Sequence, residues 1–113
     1  MILALLIALV GHDAPAPPLV RAELCSAHIE AFIVEQAEAT GMVAGPSWFI
    51  RSWWSARLPE DGAPEALSDE QRTALIAAMP DRKAADPEAF GAEREACLDE
   101  AIDAGAVPGM GPG

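Results

Sequence analysis

The chain has 113 residues, enough for one domain, and a net charge of −11 from 18 acidic and 7 basic residues. This charge argues against binding to nucleic acid or to an anionic membrane, because both attract clustered Lys and Arg side chains. Hydrophobic residues make up 51% of the sequence, which excludes a compositionally disordered chain. Arginine outnumbers lysine and alanine is abundant, a composition that favours a GC-rich bacterial source.

The amino terminus carries an unbroken apolar run over residues 2–10. It is shorter than the about 20 residues that a membrane-spanning helix needs, and it matches the hydrophobic region of a signal peptide. Pro15, Pro17 and Pro18 then hold the chain extended. We predict a signal peptide over residues 1–11, a Pro-rich linker over 12–19, and no membrane insertion after signal removal. The alternative is a buried helix or strand of a cytoplasmic domain.

Two helices are predicted in the first half of the remaining chain. The first runs from about Val20 to Thr40, because apolar residues recur at helical spacing and Gly41 then ends the pattern. The second runs from Ser47 to Leu58, after the helix breakers Gly45 and Pro46.

Two further helices are predicted in the second half. The sequence Ser68-Asp69-Glu70-Gln71 forms a capping box that begins the third, and Pro80 closes it. The fourth has Asp86 as its N-cap and Pro87 in its first turn, and it ends before Gly105. The expected fold is an all-α domain of about four short helices over residues 20–105, followed by a flexible tail over 106–113.

Cys25 and Cys97 are the only cysteines, and each lies on the apolar stripe of its helix. In an oxidising compartment such residues pair, so we predict a disulfide that links the first and last helices. A redox or metal-binding pair is the alternative, but the spacing matches neither a redox motif nor a metal motif.

His28 lies on the apolar face of the first helix. It is interpreted as a core residue with one hydrogen bond, and a haem or metal ligand is the alternative. No second histidine, glycine-rich phosphate loop or zinc motif accompanies it in the helical domain, so neither an enzyme nor a cofactor is expected.

The three tryptophans lie within the seven-residue segment 48–54. Phe49, Trp53 and Trp54 are predicted to fill the core, since alanine-rich helices lack bulk. Trp48 falls on the polar side of the same helix with Arg51, and these two residues form a candidate binding surface. Alternatively, Trp48 packs under the preceding loop.

The layout resembles that of small periplasmic acid-stress chaperones, which are also short, exported and helical with one disulfide. The resemblance is one of architecture and implies no site residue. We expect a non-catalytic exported interaction protein, meaning a binding module, an inhibitor or a chaperone-like factor, whose partner is an envelope protein or peptide. The alternative function is a carrier that holds a small apolar ligand between its helices, against Trp53 and His28.

Overall fold

The computed structural model describes residues 19–111, which form five α-helices and no strand. The helices are α1 (Arg21–Thr40), α2 (Gly45–Ser55), α3 (Asp69–Ala77), α4 (Met79–Ala85) and α5 (Pro87–Asp103). The all-α prediction is confirmed, with five helices rather than four. The predicted signal peptide and nearly all of the predicted linker lie outside the described residues. No helix within 19–111 is long and apolar enough to cross a membrane.

The additional helix arises at Pro80, where the sequence analysis predicted only a helix end. Helix α3 ends at Ala77, and Ala78 serves both as its C-cap and as the N-cap of α4. Pro80 lies in the first turn of α4, where a missing backbone N–H leaves no hydrogen bond unmade. A proline that ends one helix therefore also begins the next. Pro46 likewise lies in the first turn of α2, which begins two residues earlier than predicted.

The other helix ends follow the local signals in the sequence. Ser68 accepts a hydrogen bond from the Gln71 backbone N–H, and the Gln71 side chain accepts one from Ser68 N–H, so the predicted capping box is confirmed. Asp86 caps α5 by accepting from Ala89 N–H at 3.1 Å. Gly41 ends α1 with a φ of 77°, a left-handed conformation that glycine adopts without steric cost.

Helix α1 is the centre of the fold, because α2, α3, α4 and α5 all pack against it. One apolar cluster surrounds the disulfide and joins α1, α2 and α5 through Ile29, Trp54 and Ala101. A second cluster joins α1, α4 and α5 through Ala27, Met79 and Phe90. Small alanines on α1 let the neighbouring helices approach closely, while a few large side chains supply the buried area.

The disulfide predicted from the sequence is confirmed. Cys25 and Cys97 are bonded with their Cα atoms 5.3 Å apart, and they connect the first and last described helices. Both residues are fully buried in the cluster that contains Trp54.

Candidate functional site

Helix α2 buries one narrow stripe and exposes the rest of its surface. Ser47, Ile50 and Trp54 are buried at positions spaced by three and four residues, which is the repeat of one helix face. Trp48 and Phe49 are 46% and 48% exposed. The prediction that Phe49 belongs to the core is therefore wrong. Helix α2 contacts the rest of the domain through the face that carries Ile50 and Trp54, and Phe49 lies outside that face.

The two residues of the predicted binding surface lie together. The Arg51 guanidinium carbon is 5.8 Å from the centre of the Trp48 ring, and Arg51 Nε donates a 2.9 Å hydrogen bond to Glu30 of α1. The carboxylate of Glu30 holds the guanidinium, and the guanidinium in turn faces the indole ring. We call Trp48, Arg51 and Glu30 the tryptophan patch. An exposed ring held this way has fewer conformations to lose when a partner binds.

The other two tryptophans differ from each other in burial, although both were predicted to be core residues. Trp54 is 2% exposed, and its Nε1–H donates a 2.9 Å hydrogen bond to the carbonyl of Cys97. Trp53 is only partly buried, lies edge-on to Trp54, and is covered by Arg57 with its guanidinium carbon 3.5 Å from the ring centre. Trp54 is thus the core tryptophan, and Trp53 closes the side of the cluster.

A largely buried polar network joins α1 to α5, and His28 is the one member predicted from the sequence. His28 Nε2–H donates to Glu93 at 2.6 Å, and its Nδ1 lies 3.5 Å from Arg94 Nε–H. Arg94 also donates two hydrogen bonds, of 2.9 and 3.0 Å, to the carboxylate of Glu35. Phe32 and Phe90 contact the Arg94 guanidinium from their ring faces. The histidine is a core residue, as predicted, but it has two polar neighbours rather than one.

Burial and neighbouring charges lower the pKa values of two members of this network, His28 and Glu35. Desolvation lowers the pKa of His28, and Arg94 and Arg82 lower it further, although Glu93 opposes them. The two hydrogen bonds from Arg94 lower the pKa of Glu35. Neutral histidine, with one nitrogen donating and the other accepting, matches the observed partners. The arrangement links α1 to α5 through hydrogen bonds and ion pairs.

A second buried ion pair holds the loop that precedes α3. Glu23 accepts hydrogen bonds of 2.8 and 2.7 Å from Arg72 and one of 3.0 Å from the backbone N–H of Leu67. The hydrogen bonds from Arg72 lower the pKa of Glu23, which is buried on α1. No local sequence pattern indicates that a glutamate on a helix accepts hydrogen bonds from a distant loop, so this pair is not predictable from the sequence.

The carboxyl end of α1 borders a surface groove of about 540 Å³. Its apolar lining comes from Phe32 and Ala39 of α1 and from Met42 and Val43 of the loop that leads to α2. Neither Trp53 nor His28 lines it, so it is not the space between helices that the carrier hypothesis requires. Within residues 19–111, no group of three His, Cys, Asp or Glu side chains is arranged to hold a metal ion.

Comparison with protein-family models, with curated proteins and with solved structures found no match.

Proposed function

We propose that this chain is a non-catalytic interaction module that contacts an envelope protein or peptide through the tryptophan patch. The observation that carries the proposal is the exposed Trp48 ring, held by Arg51, which is itself held by Glu30. Tryptophan and arginine are the residues most enriched where protein interfaces concentrate their binding energy. A half-exposed indole contributes little to packing in the core, whereas an indole restrained by Arg51 loses less conformational entropy when a partner binds.

The proposal includes export to the periplasm or the cell exterior of a bacterium. The Cys25–Cys97 disulfide supports it, because disulfides persist in oxidising compartments and are rare where thiols are kept reduced. The apolar run over residues 2–10 and the prolines after it support it from the sequence. The test is mass spectrometry of the protein from fractionated bacteria. We expect the exported protein to lack about its first 11 to 16 residues, because a signal peptide is cut off after its hydrophobic region. An intact Met1 in the cytoplasmic fraction contradicts export.

The binding test compares Trp48→Ala with Phe49→Ala. The two residues are adjacent, equally exposed and both aromatic, but they point about 100° apart around α2. Purified mature protein of each variant is immobilised, exposed to an envelope extract and washed, and the retained proteins are quantified. A partner that depends on the tryptophan patch is retained by wild type and by the Phe49 variant and is lost from the Trp48 variant.

Two results contradict the proposal. Equal retention by wild type and by Trp48→Ala shows that the patch makes no contribution. Equal loss from the Trp48 and Phe49 variants shows general adhesion of aromatic surface rather than a defined patch. A retained protein is accepted as a partner only when its binding to purified wild type, measured by calorimetry, is weakened at least about tenfold by Trp48→Ala, which corresponds to about 1.4 kcal/mol.

A further inference from the structure

The polar side chains that line the groove at the end of α1 are already occupied by the protein itself. Glu35 accepts both hydrogen bonds from Arg94. The Gln36 oxygen accepts from Ser47 Oγ and Ala44 N–H, and the Thr40 hydroxyl donates to the Gln36 carbonyl. What the groove offers an occupant is therefore its apolar surface, chiefly Phe32, Ala39, Met42 and Val43. Met42 is 74% exposed, the most exposed large apolar side chain among the described residues.

Negative charge borders the groove at the carboxyl end of α1. The last turn of α1 has no basic residue, so the negative end of the helix dipole is unopposed there. Glu38 is exposed in the same part of the helix. Two cations lie near Glu35: Arg94, which pairs with it, and the exposed Lys83, whose charge also lowers the pKa of Glu35. Within residues 19–111, five of the seven basic side chains form ion pairs with six carboxylates. The same residues include 17 acidic side chains, so acidic side chains outnumber basic ones.

We propose that this groove binds a basic amphipathic segment of a partner protein. Apolar side chains of the segment enter the groove, and its Lys or Arg side chains lie over Glu38 and the end of α1. The inference goes beyond the proposed function, since it assigns a second binding surface, separate from the tryptophan patch, and names the chemistry of its partner. Charge complementarity selects this occupant, because a second copy of a chain with a net charge of −11 would place like charges at the groove.

The experiment measures binding of three synthetic peptides to the disulfide-bonded protein by calorimetry. One is an amphipathic helix of leucine and lysine, the second replaces its lysines with glutamate, and the third replaces its leucines with serine. Wild type is expected to bind the first and to bind the other two at least about tenfold more weakly. Binding of the first peptide should also weaken as salt is added, because exposed charges are screened.

Two arginine variants test whether the leucine-lysine peptide binds in the groove. Ala39→Arg adds a bulky cation to the groove wall, whereas Ala37→Arg adds the same charge to an exposed position two residues away that does not line the groove. Both substitutions suit a helix, and circular dichroism confirms folding. Ala39→Arg is expected to weaken binding of the leucine-lysine peptide at least about tenfold, and Ala37→Arg by less than about threefold.

Trp48→Ala separates this inference from the proposed function. If the leucine-lysine peptide binds the Trp48 variant as it binds wild type, and Ala39→Arg abolishes binding, the groove is the site. Loss of binding in the Trp48 variant alone overturns the groove while leaving the tryptophan patch as a binding surface. Equal effects of Ala39→Arg and Ala37→Arg, or equal binding of the glutamate peptide, also overturn the inference.

Discussion

The contribution of a side chain to the stability of this protein depends on how deeply it is buried, and the tryptophans illustrate this. Replacing Trp54 with alanine removes a buried ring and a hydrogen bond to Cys97, so we expect a loss of about 3–5 kcal/mol in the free energy of unfolding. Replacing Trp48 removes a half-exposed ring and should cost less than about 1 kcal/mol. Urea unfolding followed by circular dichroism measures both values. Equal large losses would mean that Trp48 is a packing residue.

The buried pair Glu23–Arg72 should respond asymmetrically to truncation. The Glu23 side chain is 1% exposed and that of Arg72 is 23% exposed. Arg72→Ala therefore leaves a carboxylate stranded inside the protein and should cost about 3–5 kcal/mol at neutral pH. Glu23→Ala leaves an arginine that reaches water and should cost about 1–3 kcal/mol.

The pH dependence of the two penalties provides a control for this comparison. The penalty of Glu23→Ala should shrink below about pH 4.5, because wild type itself loses the stabilisation from Glu23 there. The penalty of Arg72→Ala should begin to shrink at a higher pH, because a buried carboxylate without its cation takes up a proton more readily. Chemical unfolding at neutral and acidic pH measures both. Equal penalties at neutral pH would contradict the asymmetry.

Acid should weaken the fold in two stages. His28 has a folded pKa below its ordinary value of 6.5, so the unfolded chain binds more protons and stability falls as the pH drops through that value. Glu35 and Glu23 have folded pKa values below the ordinary 4.5, so their stabilisation is present above 4.5 and is lost below it.

The variant His28→Gln isolates the first stage. Glutamine retains a donor toward Glu93 but does not titrate, so the decrease in melting temperature between pH 7 and about pH 5.5 should be smaller than in wild type. The decrease below 4.5 should remain, because Glu35 and Glu23 are unchanged. Parallel melting curves for wild type and variant over the first interval would show that His28 does not contribute to the pH dependence.

At the scale of the helices, the carboxyl end of α5 differs most from its sequence interpretation. Gly105, with a φ of 88°, donates to the carbonyl of Ile102, and Ala106 N–H donates to the carbonyl of Ala101. These two bonds form a Schellman cap, which turns the chain back along the helix. Val107, in the segment predicted to be a flexible tail, is 5% exposed and packs into the cluster around the disulfide.

Val107 should therefore stabilise the domain although it follows the last helix. Val107→Ala is expected to reduce the free energy of unfolding by about 1–3 kcal/mol, as truncation of a buried aliphatic side chain does. Val34→Ala, at a half-exposed position on α1, makes the same chemical change and should cost less than about 0.5 kcal/mol. Urea unfolding of both variants compares them directly, and equal costs would show that the packing of Val107 adds nothing.

The sequence predicted four of the five helices and the disulfide, but none of the long-range ion pairs. Ser68, Asp86 and Gly41 act on backbone groups within a few residues, so the sequence alone placed those helix ends. Glu23 and Arg72 are 49 residues apart and Glu35 and Arg94 are 59 apart, so only the folded chain shows that they pair. Phe49 was misplaced for a similar reason, because its hydrophobicity indicates burial only if a neighbouring element covers that side of α2.

At the scale of the whole molecule, a small alanine-rich domain depends on a covalent link between its ends. The Cys25–Cys97 bond closes a loop with a sequence separation of 72 residues, and the chain-entropy relation assigns such a loop about 4 kcal/mol. That value is a large share of the stability of a domain of this size. The two linked helices are also joined by Trp54 to Cys97, by Arg94 to Glu35 and by Arg21 to Glu100.

Reduction should therefore destabilise the domain strongly without separating α1 from α5 by itself. We expect the melting temperature to fall by more than about 10 °C on reduction, since about 4 kcal/mol corresponds to at least that shift in a domain of roughly 100 residues. Circular dichroism at low temperature should still show helix, because the noncovalent contacts remain. The double variant Cys25→Ala/Cys97→Ala should melt close to the reduced protein and should not respond to reductant. Two thiols that titrate in the purified, oxidised protein would contradict the disulfide and, with it, the share of stability assigned to it.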